Sequence, residues 1–130
     1  MRKEMTTMKT DLATAAQKAH EIRARFGDME PLCILKNMYN VQVYSFAEVA
    51  KKTGETRDAI IAAFNEPCDA ISIYSAGKYI VVYNQRMPFD IVRKALAREL
   101  GHIVLVHDGT RPEAVRNAEA EHFAKIMLEG

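Results

Sequence analysis

The sequence predicts an α+β fold in a single domain, and three observations lead to that expectation. Two late segments, 88–107 and 110–128, carry apolar residues at helical spacing. Ala70-Ile71-Ser72-Ile73-Tyr74 and Tyr79-Ile80-Val81-Val82-Tyr83 flank an Ala76-Gly77 turn as an antiparallel strand pair does. The 130 residues, 48% of them hydrophobic, suffice for one compact core and fall short of two ordinary ones. The expected architecture is a small antiparallel sheet, built from strands around Val41, Ile71 and Ile80, packed on a long helix and its C-terminal partner.

Residues 1–9 are rich in Met, Thr and Lys without an apolar period, and read as a frayed start to a domain spanning 10–130. From Leu12 the positions Ala15, Ala16, Ala19, Ile22 and Phe26 recur at helical spacing, and Gly27-Asp28 supplies a stop. Pro31 suits a first helical turn, and Leu32, Ile34, Leu35 and Met38 follow it as a short second helix ending before Asn40. Val41-Gln42-Val43-Tyr44 alternates as a half-buried strand. Ser45 is placed to cap a helix from Phe46 to Lys52, and Thr56 to cap another from Arg57 to Asn65. After the strand pair, Pro88-Phe89-Asp90 opens the long helix, which Gly109 ends near His107. Thr110-Arg111-Pro112-Glu113 has capping-box spacing and starts a last helix running to Leu128.

Eighteen basic residues against seventeen acidic give a net charge of +1, so no overall field steers the chain toward nucleic acid or an anionic membrane. The start lacks the apolar core of a secretory signal and no run approaches membrane-spanning length, so a cytoplasmic protein is expected. Cys33 and Cys68, the two cysteines, are far apart in sequence and read as free thiols rather than a metal knuckle.

The chemistry concentrates at Arg98-Glu99-Leu100-Gly101-His102. In H-E-x-x-H, two histidines four residues apart on one helix face reach a single zinc, and the glutamate between them activates the bound water. Here Glu99 and His102 stand in register, but Arg98 fills the first histidine's position. A guanidinium has no lone pair for a metal and stays protonated. Helical spacing places Ile91, Ala95, Arg98, His102 and Leu105 on one stripe, and Val115, Glu119, His122, Phe123 and Ile126 on another. Glu119 is therefore a carboxylate on an apolar face, and needs a cation. Zinc is one candidate; a bidentate bridge from Arg98 is the other. His122 is a substitute ligand one turn on, His107 a residue suited to a helix C-terminus, and Gly101 a sign of close backbone approach. Without a metal, Glu99 falls to solvent or to a cation such as Arg93 or Lys94.

Two motifs carry a resemblance to a known family. Ala97-Arg98-Glu99-Leu100-Gly101-His102-Ile103-Val104-Leu105 resembles the A-H-E-L-G-H-x-x-L of the ImmA/IrrE family of metallopeptidase-like proteins, and Glu119-Ala120-Glu121-His122-Phe123-Ala124 resembles its E-A-N-x-F-A. Lys78 to Asn84 is similar to the strand preceding the family's zinc helix, and the likeness extends from Leu12 to Leu128. The resemblance implies a zincin-like fold, with Glu99 as catalytic general base and His102 and Glu119 as metal ligands. It also implies a link with mobile elements and stress regulators, and a repressor or similar transcription regulator as partner or substrate. Arg98 for the ligand histidine and Glu121 for the family's asparagine are the departures. With one of three protein ligands lost, zinc is not expected to be held in the usual way.

The expected function is thus a metallopeptidase-like domain with an incomplete zinc site, catalytically silent and binding a regulatory protein. The alternatives are an active zinc-dependent peptidase cleaving a transcription regulator, and a DNA-binding helix-turn-helix at 46–64. For the last, Lys51, Lys52 and Arg57 are offset by Glu48, Glu55, Asp58 and Glu66, which leaves no basic face for phosphates.

Overall fold

A computed structural model describes residues 10–54, 69–106 and 112–129. Among them are five helices and three strands: α1 (Leu12–Phe26), α2 (Pro31–Lys36), β1 (Val41–Ser45), α3 (Phe46–Thr53), β2 (Ala70–Ser75), β3 (Lys78–Tyr83), α4 (Phe89–Val104) and α5 (Glu113–Leu128). The fold is α+β, as the patterns predict. Residues 1–9, the second half of the proposed helical hairpin, Cys68, His107, Gly109 and Thr110 lie outside the described residues.

Each boundary has a local cause. Asp11 caps α1, its Oδ1 accepting from the Thr14 N–H at 3.0 Å, and Gly27 at φ 63° closes the helix. Ser45 and Glu48 form a reciprocal capping box at the start of α3: the Glu48 N–H donates to Ser45 Oγ at 3.0 Å, and the Ser45 N–H to Glu48 Oε1 at 2.8 Å. Two of those bonds work together, and Glu48 is held below its ordinary carboxylate pKa chiefly by the Ser45 backbone N–H. α5 begins at Glu113 with Pro112 at its N-cap and no side-chain cap bond there, and the expected cap, Thr110, lies outside the described residues. α4 also ends earlier than Gly109 suggests. Its last helical residue is Val104, and Val106 already adopts φ 56°, a left-handed geometry that turns the chain out of the helix.

The sheet corrects the antiparallel expectation. Its order is β1-β3-β2; β2 and β3 form the predicted antiparallel hairpin, but β1 runs parallel to β3, with Val41 opposite Tyr79 and Ser45 opposite Tyr83. Strands separated by a long connection are free to pair in parallel, whereas a tight turn forces the antiparallel arrangement. The sheet is therefore mixed, and β3 is its central strand.

Successive residues of β3 serve two cores, as the strand's alternation requires. Val81 joins Leu96, Leu100 and Ile103 of α4, Ile34 and Leu35 of α2, Ala15 and Ala19 of α1, and Phe123 and Met127 of α5. Val82 faces the other way, onto Phe46 of α3. α5 lies against both α4 and α1, so the motif helix is enclosed by the sheet on one side and α5 on another.

Candidate functional site

The chemistry-bearing side chains come from α4, α5 and the edge strand β2. Leu100 and Ala97 of α4 are fully buried, which directs the intervening Arg98 and Glu99 to the margins of the helix, where both are half-buried. His102, one turn beyond Arg98, is half-buried as well. The spacing that places Arg98 and His102 together on α4 holds, but their surroundings differ from the sequence expectation in three ways.

First, Arg98 does not bridge to Glu119. Among the described residues its ion pair is with Glu121, Nη1 to Oε2 at 3.1 Å, and this pair is partly open to solvent, with side chains 37% and 57% exposed. Glu119 and Glu121 are two positions apart, a rotation of about 200° around a helix, so one side chain on α4 cannot serve both. The position where the family carries asparagine thus supplies the acid that Arg98 takes.

Second, Glu119 is buried at 4% exposure and its Oε2 accepts the backbone N–H of Asp11 at 2.6 Å. The start of α1 thus gives this carboxylate a donor at the partly positive end of a helix.

Third, Glu99 is not neutralised by Arg93 or Lys94. Arg93 is paired with Glu30 at 2.6 Å. Burial pushes the Glu99 carboxyl above its ordinary pKa; hydrogen bonding to Ser72 of β2 and the charge of Arg98 act in the opposite direction without cancelling it. A carboxyl with raised proton affinity is suited either to donating a hydrogen bond or to accepting a proton in catalysis.

Gly101 confirms close packing, though by a side chain and not by backbone. A Cβ added there would lie 3.0 Å from Phe123 Cδ1. His122 is half-buried and borders a concavity with Lys94 of α4 and Lys125 of α5. A separate apolar cavity of about 580 Å³ lies between α2, β3 and the start of α4, lined by Pro31, Leu32, Tyr83, Phe89, Val92 and Leu96. None of Arg98, Glu99, His102 or Glu119 lines it.

A zinc site of this class asks for three protein ligands and an open position. Here the first ligand position is a guanidinium in an ion pair, and one oxygen of Glu119 is taken by a backbone N–H. Among the described residues, no three His, Cys, Asp or Glu side chains are gathered so as to hold a metal ion. These residues do not fit the three-ligand set that the motif implies.

Two residues of this neighbourhood escaped the sequence reasoning. Asp11 was legible as an N-cap, an acid directly before the first apolar-periodic residue and three positions ahead of Thr14. Ser72 was visible as the polar break in a run of Ala, Ile and Ile, but its link to Glu99 depends on how α4 crosses the hairpin. Compared with protein families, curated proteins and solved structures, the chain matches none. Among the described residues no helix is long and apolar enough to cross a membrane.

Proposed function

We propose that the chain is a catalytically silent, metallopeptidase-like domain that binds a regulatory protein, such as a repressor, at the margin between α4 and β2. The observation that supports this reading most directly is the Arg98–Glu121 pair at 3.1 Å, which puts a fixed positive charge where the motif calls for a neutral imidazole. Partner binding is supported by the aromatic surface beside Glu99's serine. Tyr74 follows Ser72 by two residues on the same face of β2, is 61% exposed, and has its ring centroid 4.9 Å from that of Tyr79. Tyr79 is half-buried against the core and backs the exposed Tyr74 ring, and an exposed tyrosine is a favoured anchor in protein interfaces.

The raised pKa of Glu99 is the observation that favours the second reading, an active peptidase cleaving a transcription regulator. The metal content of the purified protein, together with incubation with a candidate repressor, separates the two. The silent reading expects no stoichiometric zinc and an intact repressor retained in a complex that Tyr74→Ala weakens. Stoichiometric zinc accompanied by repressor cleavage that Glu99→Gln abolishes would overturn it.

A further inference from the structure

The disagreement between the zinc motif and its surroundings centres on Glu119. Its carboxylate is the most buried acid among the described residues, and its Oε2 accepts from the N–H of Asp11, 108 positions earlier in the chain, at 2.6 Å. Asp11 is the N-cap of α1, a helix of 15 residues, so its N–H sits where the aligned peptide dipoles sum to partial positive charge. The carboxylate of Asp11 is turned inward on its own helix, taking the Thr14 N–H at 3.0 Å and the Thr14 hydroxyl at 2.7 Å. Two acids therefore act at one helix start, one from within the helix and one from α5. Further along, Arg23 of α1 donates to the carbonyl of Ile126 on α5 at 3.3 Å, a second tie between the same two helices.

We infer that Glu119 is a latch for α1: the carboxylate at the position of the family's third ligand holds the N-terminal helix against α5. The helix terminus offers the carboxylate an oriented N–H donor at its partly positive end. This inference is independent of whether the domain binds a regulatory protein, and it concerns a different side of α5 from Arg98 and Glu121.

Amide hydrogen exchange on the full chain tests it. In Glu119→Ala, protection at Asp11 and the first turn of α1 falls about tenfold or more, as expected for loss of a charge-assisted bond, while amides of β3 and the middle of α4 keep theirs. Glu119→Gln keeps an acceptor without the charge, folds with the same volume, and gives an intermediate loss. Unchanged protection of α1 in both variants, or a loss spread evenly over α1, β3 and α4, would overturn the latch. A second arm titrates zinc into Arg98→His. The latch predicts that protection of α1 stays dependent on Glu119 whether or not zinc is added, since a carboxylate whose Oε2 accepts an N–H keeps lone pairs for a metal. Tight binding that Glu119→Ala removes, with α1 protection falling as zinc is added, overturns it. Zinc and cleavage in the unmodified protein, with α1 protection still dependent on Glu119, would instead overturn the silent reading and leave the latch standing.

Discussion

The ring of Phe123 rests on Gly101, so that the motif helix and the C-terminal helix meet where α4 has no side chain. A Cβ at Gly101 would come within 3.0 Å of Cδ1, 3.1 Å of Cγ and 3.2 Å of Cβ of Phe123, which is fully buried and hemmed in by the core. Alanine gains about 1 kcal/mol in helix propensity over glycine, but overpacking costs about 1–3 kcal/mol. Gly101→Ala is expected to destabilise by roughly 1 kcal/mol net, read as a lower midpoint in urea unfolding. Combining it with Phe123→Leu should recover part of the loss, since the two residues are in contact.

Glu99 predicts a pH dependence of definite sign. Its folded-state pKa is raised by burial, so between the ordinary glutamate value and the raised one the folded protein holds more proton than the unfolded chain. Its contribution to stability is fully present below the ordinary value and is lost as pH rises through the folded one. Urea unfolding across pH 4 to 8 should show this decline in the unmodified protein and a flatter profile in Glu99→Gln.

Val106 takes φ 56° directly after α4, in a conformation that a β-branched residue adopts at a cost of about 1–2 kcal/mol. Glycine accepts it freely, though with more entropy lost on folding. Val106→Gly is expected to raise stability by about 0.5–1 kcal/mol, seen as an increase in Tm, because Val106 is also 62% exposed and gives up little packing.

The capping box at α3 should be worth more than the Arg98–Glu121 pair. Ser45→Ala removes the acceptor for the Glu48 N–H and is expected to cost about 1 kcal/mol. Glu121→Ala breaks an ion pair whose members are largely solvated, and should cost about 0.5 kcal/mol or less, with the difference vanishing in high salt.

Local chemistry made most of the fold legible. α1 stops at Gly27, α2 begins at Pro31, Ser45 caps α3 and Gly77 closes the hairpin turn at φ 81°, each a residue with the right backbone preference. What failed was non-local. The direction of β1 relative to β3 depends on the path between them, and a strand's own residues carry no mark of it. At the site, the spacing of Arg98, Glu99 and His102 on one helix could be read directly. The partners of Glu119 and Glu99 could not, because Asp11 and Ser72 reach them only through the packing of α1 on α5 and of α4 on the hairpin. The end of α4 was misjudged because Val106 takes a conformation usually left to glycine, ahead of the glycine that the sequence offers.

The central place of β3 sets an order of assembly. The hairpin joins neighbours along the chain and can close within microseconds, whereas Val41 must find Tyr79 across about forty intervening residues. β1 therefore docks onto a strand that is already paired on its other side, and the entropy of closing that long loop is lost late. Substitutions in the hairpin are expected to change the folding rate, and substitutions in β1 chiefly the unfolding rate.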